Sequence, residues 1–342
     1  MSDRSGVICA GNWIVDLVHD IDRWPNESEL TRIGQQTRGM GGGAANVISA
    51  LARLETGLPL YPMGAVGNDE HGRFILAECQ KLGLPTSGLF TKAGTATAHT
   101  HVMSVAGQSR TFFYQGGAND ILSADDFPAG TFADTKASIF YLGYLTLLGE
   151  LDETVEGGTT KAALVLDRAR QAGLTTCVDL VSIHHPRFRE IVAAAAPYVD
   201  YLIANEIEAA FASPDEPAQA TSDLARLSRD LLDLGVQQAV ILHSAEQVVW
   251  ISADGAELAF AIDPLPPEEI ASNLGAGDAF CAGLLYSIHE SLPPDRALQI
   301  AIATARASLK GFTATSTIPP LDLLDANGPK PRAIQQPYCQ GL

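Results

Sequence analysis

The sequence predicts an α/β protein whose mostly parallel sheet is covered by helices. Short apolar runs rich in Val, Ile and Ala alternate with segments of helical period along the chain, the pattern of strand–helix–strand units. Hydrophobic residues make up 46% of the 342 positions, enough to bury a large core. Two strand-like stretches break the rhythm and read as inserted β-hairpins, forming either a small sheet over one end of the main one or ordinary edge strands.

In chain order, the strand candidates are Val7–Trp13, Leu60–Val66, Ser138–Leu142, Thr175–Leu180, Tyr201–Ala204, Ala239–His243 and Gln247–Ile251. Helical periodicity marks Ala44–Leu54, Gly72–Leu82, Thr159–Ala172, Ser222–Leu234, Asp278–Glu290 and Asp295–Gly311. The rhythm breaks at Val15–Arg38, interrupted by Trp24-Pro25-Asn26, and at Thr95–Tyr114, with a turn signal at Ala106-Gly107-Gln108-Ser109. Residues 1–342 are thus read as one domain, with β insertions over approximately 15–38 and 95–115 covering one end of the main sheet. From Pro319 onward, several prolines and no clear period predict a surface-hugging tail without chemistry.

A net charge of −18 argues against nucleic-acid partners, which draw on clustered Lys and Arg. An anionic small molecule stays open, since backbone N–H groups and helix ends can make a local positive site. The five cysteines are scattered, with no C-x-x-C pair, so they read as reduced thiols rather than a disulfide framework or zinc site. Met1–Gly6 has no leader pattern, and no apolar run approaches the ~20 residues of a membrane span. These features predict a cytoplasmic protein without a membrane partner.

The strongest local signal is Ser272-Asn273-Leu274-Gly275-Ala276-Gly277-Asp278, running into a helix whose apolar face carries Phe280, Leu284 and Ile288, widened by Cys281 and Leu285. Small residues let the backbone turn sharply and aim several N–H groups into one space at the positive end of a helix. Asp278 beside that site can take a proton from a hydroxyl attacking phosphorus; equally, an acidic residue there can simply favour a helix start.

In these residues the chain resembles the ribokinase-like (PfkB) kinases, whose late signature is Asp-Thr-x-Gly-Ala-Gly-Asp. The resemblance covers about residues 7–318. It implies a three-layer sandwich with a small β-sheet lid, and phosphoryl transfer from ATP, with Mg²⁺, to a sugar or nucleoside hydroxyl. By resemblance, Asp278 is the catalytic base and the backbone of Gly275, Ala276 and Gly277 is the anion hole. Gly11–Asp16 is similar to the family's first strand, whose terminal Asp, here Asp16, holds substrate hydroxyls. Arg38–Asn46 resembles the N-terminal glycine signature, placing Gly41, Gly42, Gly43 and Asn46 against the substrate. The Gly64–Gly72 segment also matches and reads as architectural. Asn205 and Glu208 fit the Asn-x-x-Glu motif, implying phosphate contacts from Asn205 and Mg²⁺ held through water by Glu208. His99, His101, Arg110, Phe113 and Asn119 are lid-lining candidates, and the family's paired lids imply a homodimer.

The sequence departs from the pattern in two places. Ile241-Leu242-His243-Ser244-Ala245-Glu246 stands where the family often has Thr-x-Gly-x-x-Gly beside the nucleotide, leaving His243 and Ser244 as nucleotide-side candidates. Ser272-Asn273 replaces the Asp-Thr pair, and Thr313–Ser316 lacks a glycine often found there, which implies little dependence on a monovalent cation. Gly43 stands where ribokinase carries a lysine, so the substrate reads no further than sugar or nucleoside. The missing glycines leave a noncatalytic sugar- or nucleoside-binding protein as the rival. A nicotinamide dehydrogenase is disfavoured, because no G-x-G-x-x-G turn follows the first strand.

Overall fold

The structure, a computed structural model, describes residues 4–105, 110–214, 223–327 and 332–333. The turn signal at 106–109 lies outside these residues, as does the predicted helix start at Ser222. The first part of the chain folds as β1 (Val7–Gly11), β2 (Ile14–Ile21), β3 (Ile33–Gly41), α1 (Gly43–Arg53), β4 (Leu60–Gly67), α2 (Glu70–Lys81), β5 (Leu89–Lys92), β6 (His99–Ser104) and β7 (Thr111–Gln115). The middle holds α3 (Ala129–Asp134), β8 (Ile139–Leu145), α4 (Lys161–Gln171), β9 (Thr175–Leu180), α5 (Phe188–Ala195), β10 (Tyr201–Asn205), α6 (Glu206–Ala212) and α7 (Leu224–Leu232). Then come β11 (Ala239–His243), β12 (Gln247–Ser252), β13 (Glu257–Ala261), α8 (Ala276–His289), α9 (Pro294–Ser308), α10 (Leu321–Asn327) and β14 (Arg332–Ala333).

Among the described residues, ten strands form one sheet in the order β14-β13-β12-β11-β10-β9-β8-β1-β4-β5. From β11 to β5 neighbouring strands run parallel, and β12, β13 and β14 add antiparallel strands at one edge. Side chains alternate between two cores. Ile8, Phe140, Val178, Leu202 and Val240 face α4, α5 and α7, whereas Cys9, Tyr141, Cys177, Ile203 and Ile241 face α1, α8 and α9. Both faces of the parallel strands are therefore apolar, which is why they read as near-continuous hydrophobic runs.

The chain builds outward from β1 through β4 and β5, then returns to β8 on the other side of β1. Such a reversal opens a crevice beyond the carboxyl ends of the strands. The second sheet, in the order β3-β2-β6-β7, is formed by the two stretches that broke the α/β rhythm. Asp69 joins the two sheets. Its carboxylate caps α2 at Gly72 N–H (2.8 Å) and accepts from the Thr97 N–H (2.7 Å) and hydroxyl (2.6 Å), just before β6.

The chain after Pro319, expected to hug the surface, carries regular structure there: Leu321–Asn327 is helical, the Leu321 N–H bonds the Leu54 carbonyl, and Leu324 is buried. Arg332–Ala333 then pairs with β13. The helix is too short to show a period in the sequence.

Asp69→Ala is expected to cost about 1–2 kcal/mol, as for loss of a helix cap, and to lower the urea midpoint. Unchanged stability would show that the Asp69 contacts contribute nothing net.

Candidate active site

A cleft of about 1110 Å³ opens between the two sheets, lined among others by Asp16, Gly42, Asn46, Thr100, Arg110, Tyr144, Asp179, Asn205, Glu208, His243 and the Ser272–Asp278 turn. The parallel strands deliver its floor: Tyr144 lies at the end of β8, Asp179 in β9, Asn205 at the end of β10 and His243 at the end of β11.

The turn into α8 is set by Gly275, whose φ of 74° and ψ of 11° lie in the left-handed region that glycine enters without steric cost. Helix α8 starts at Ala276, two residues earlier than its periodicity suggested, so Asp278 falls at the third helical position. The first-turn amides there lack intrahelical acceptors and carry the positive end of the helix dipole. Asp278 is 3% exposed. Its Oδ2 accepts from Asn46 Nδ2 at 2.8 Å and from the Tyr144 hydroxyl at 3.0 Å. Burial raises its pKa to about 6, against the pull of those two donors.

Three further carboxyl groups share the cleft. Asp16 is buried in β2, and burial together with the Asp278 charge raises it to about 7, opposed by Thr100 and Arg110. Asp179, also buried, accepts the Tyr144 N–H at 2.7 Å and is pushed well up by burial and by Asp278. Glu208 is raised to about 7 by burial. Its oxygens accept from the Ser182 hydroxyl (2.8 Å), Asn205 Nδ2 (2.8 Å) and Asn205 N–H (2.9 Å). Asn205 Oδ1 in turn accepts from the Ile207 and Glu208 N–H groups, so the Asn-x-x-Glu pair is a capping box that starts α6.

The remaining predicted positions separate into those at the cleft and those away from it. Gly42 and Asn46 line the cleft, Gly41 lies against the Asp16 carboxylate, and Gly43 sits under the Tyr144 ring. His243 packs on Phe280 with ring centroids 4.8 Å apart, and burial holds it neutral, its pKa lowered to about 4. The Ser244 hydroxyl accepts from the Glu246 and Gln247 N–H groups, closing a tight β11–β12 turn that needs neither family glycine.

Several lid-lining expectations change. His99, His101 and Phe113 do not line the cleft. His99 pairs with Val15 and His101 with Leu17, one position out of step with Asp16, so both face away from it. Phe113 pairs with His101 and shares its face. Asn119 is buried on the Trp13 backbone. Thr100, Phe112 and Tyr114 face the cleft with Arg110, whose guanidinium donates to the Ser272 hydroxyl at 2.6 Å and ties the small sheet to the glycine turn. Tyr144 and Asp179 enter the cleft without belonging to any of the sequence motifs; their position at the carboxyl ends of parallel strands is the signal that points to them.

A model of the pfkB family of carbohydrate kinases matches residues 5–320. The chain belongs to that family. It is 25% identical over 327 residues to the 5-dehydro-2-deoxygluconokinase of Geobacillus thermodenitrificans, covering 93% of this chain and 91% of that one. It is 26% identical over 265 residues to the adenosine kinase of Saccharomyces cerevisiae, covering 76% and 74%. The fold is similar to that of Arabidopsis thaliana ribokinase solved with ribose and ATP, with a TM-score of 0.77 at 21% identity, covering 94% of this chain and 98% of that one. This pfkB protein is a carbohydrate or nucleoside kinase, and ATP use follows from the family.

The four carboxyl groups make the cleft costly to keep charged. Their folded pKa values are raised, so the folded state binds more protons than the unfolded one, and stability falls as pH climbs through about 6–7. Asp278→Asn is therefore expected to gain melting temperature relative to wild type at pH 8, with the gap closing toward pH 5. A gap independent of pH would contradict this electrostatic account.

Proposed function

We propose that this pfkB kinase transfers the γ-phosphoryl group of ATP to a hydroxyl of a sugar or nucleoside, with Asp278 as general base. The observation that carries the reading is the placement of one buried carboxylate, raised to about 6, immediately after a left-handed glycine turn at a helix start. The acceptor hydroxyl gives its proton to Asp278 as its oxygen attacks phosphorus and the bond to the β-phosphate oxygen breaks. The Gly275, Ala276 and Gly277 backbone faces the transferring group as an anion hole, where each donor supplies about 3–4 kcal/mol. Asp16, Thr100, Gly42 and Asn46 line the acceptor side of the cleft.

On the nucleotide side stand Asn205 and His243, with Ser244 holding the adjoining turn. Glu208 fits an outer-sphere role toward Mg²⁺, because its oxygens already accept three hydrogen bonds and magnesium keeps several of its waters. When bound, Mg²⁺ would neutralise phosphate charge. The Ser272 hydroxyl is taken by Arg110 and the Leu274 N–H, which supports the reading that no monovalent cation is held there. The small sheet acts as a lid that excludes water, closed by the Arg110–Ser272 contact. Pairing of two copies through that sheet fits the exposed Ile33 and Phe113. A cytoplasmic location fits the four buried free cysteines among the described residues.

ATP consumption with Mg²⁺ across a panel of sugars and nucleosides tests the reading. Asp278→Asn should lower turnover of the accepted compound by at least ~10², while Asp16→Ala chiefly raises KM. Equal turnover by Asp278→Asn would remove it as the base. Replacing sodium by potassium should change the rate little, and a large activation would overturn the monovalent-cation reading.

A further inference from the structure

We propose that Tyr144 is a positioning residue for phosphoryl transfer, fixing which oxygen of Asp278 meets the acceptor and favouring the ionised form of that carboxylate. The inference rests on Asp278 being the base. Strand β8 carries the phenol into the site by a local break in pairing: its register with β9 shifts between Leu142 and Leu145. At Tyr144 the backbone has φ of +60°, a conformation that a bulky aromatic residue rarely adopts and that persists only where the surroundings over-determine it.

Three contacts hold it there. Asp179 Oδ1 accepts the Tyr144 N–H at 2.7 Å, and the Tyr144 carbonyl accepts the Leu147 N–H at 3.0 Å. The ring lies over Gly43, where a Cβ would stand 2.7 Å from Cδ1, so the glycine signature makes room for tyrosine as well as for substrate. The hydroxyl then reaches Asp278 Oδ2, which also receives Asn46 Nδ2. With both donors on one oxygen, Oδ1 remains for the acceptor hydroxyl. Burial and the neighbouring carboxylates push the phenol well above the usual tyrosine range, so it keeps its proton and donates. Hydrogen bonds to the charged form of a carboxyl group lower its pKa, so the tyrosine opposes the rise that burial imposes on Asp278.

The test reads Asp278 ionisation in the free protein, with no acceptor required. Infrared difference spectra are titrated across pH, and Asp278→Asn identifies the carboxyl band. Tyr144→Phe should move the ionisation of Asp278 upward by about half to one unit, a ~3- to 10-fold fall in its acid constant. The more acidic 3,5-difluorotyrosine at position 144, a stronger donor of nearly the same shape, should move it downward. That second substitution decides the matter if the phenylalanine variant fails to fold. A purely structural tyrosine would shift neither titration, and an unshifted Asp278, or a shift of the opposite sign, overturns this proposal alone. Full turnover by Asp278→Asn overturns the base assignment and this proposal with it.

Discussion

The hydrogen bond from Asn46 to Asp278 joins residues 232 positions apart inside a buried site, and the arrangement of the cleft depends on it. It fastens α1, which follows the early glycine turn, to α8, which follows the late one. Each glycine turn alone is a way to start a helix. Held together through one carboxylate oxygen, they become two walls of a single crevice. A carboxylate buried without such donors would cost several kcal/mol or take up a proton. The site keeps its charge within reach because Asn46 and Tyr144 offset part of that penalty.

The same economy of charge explains how an acidic protein accommodates an anionic donor. Asp16, Asp179, Glu208 and Asp278 all line the cleft, yet burial raises every one of them, and repulsion from Asp278 adds to the rise at Asp16, Asp179 and Glu208. The field in the cleft is thus less negative than the residue count implies. Oriented N–H groups at the α8 start add a positive contribution that needs no side chain. Holding these buried carboxyl groups in one cleft lowers folded stability near neutral pH, a cost common in active sites.

Much of this was legible in the sequence, for local reasons. Parallel strands buried on both faces show as apolar runs, and long helices show their period. Strand β13, half-exposed near the sheet edge, and the short α5 and α6 carry too few patterned residues to stand out. At the cleft, Gly275–Asp278 stood out as a contiguous motif with a local mechanism, whereas Asn205–Glu208 was picked out by its resemblance to the family's Asn-x-x-Glu motif. That Asn205 and Glu208 form a helix cap is also local chemistry. Tyr144 and Asp179 were not assigned, because their roles arise only where neighbouring strand ends meet. His99 and His101 show the opposite limit: a strand's existence is readable, but one step of register decides which face a side chain takes.

The most direct measurement is a structure with a nonhydrolysable ATP analogue, Mg²⁺ and an accepted sugar or nucleoside, reading the distance from the acceptor oxygen to Asp278. The account predicts a contact of about 2.6–3.2 Å to Oδ1, Asn46 and Tyr144 still on Oδ2, and the terminal phosphate against the Gly275–Gly277 backbone. An acceptor hydroxyl seated instead on Asp179 or Asp16, with Asp278 out of reach, would contradict it.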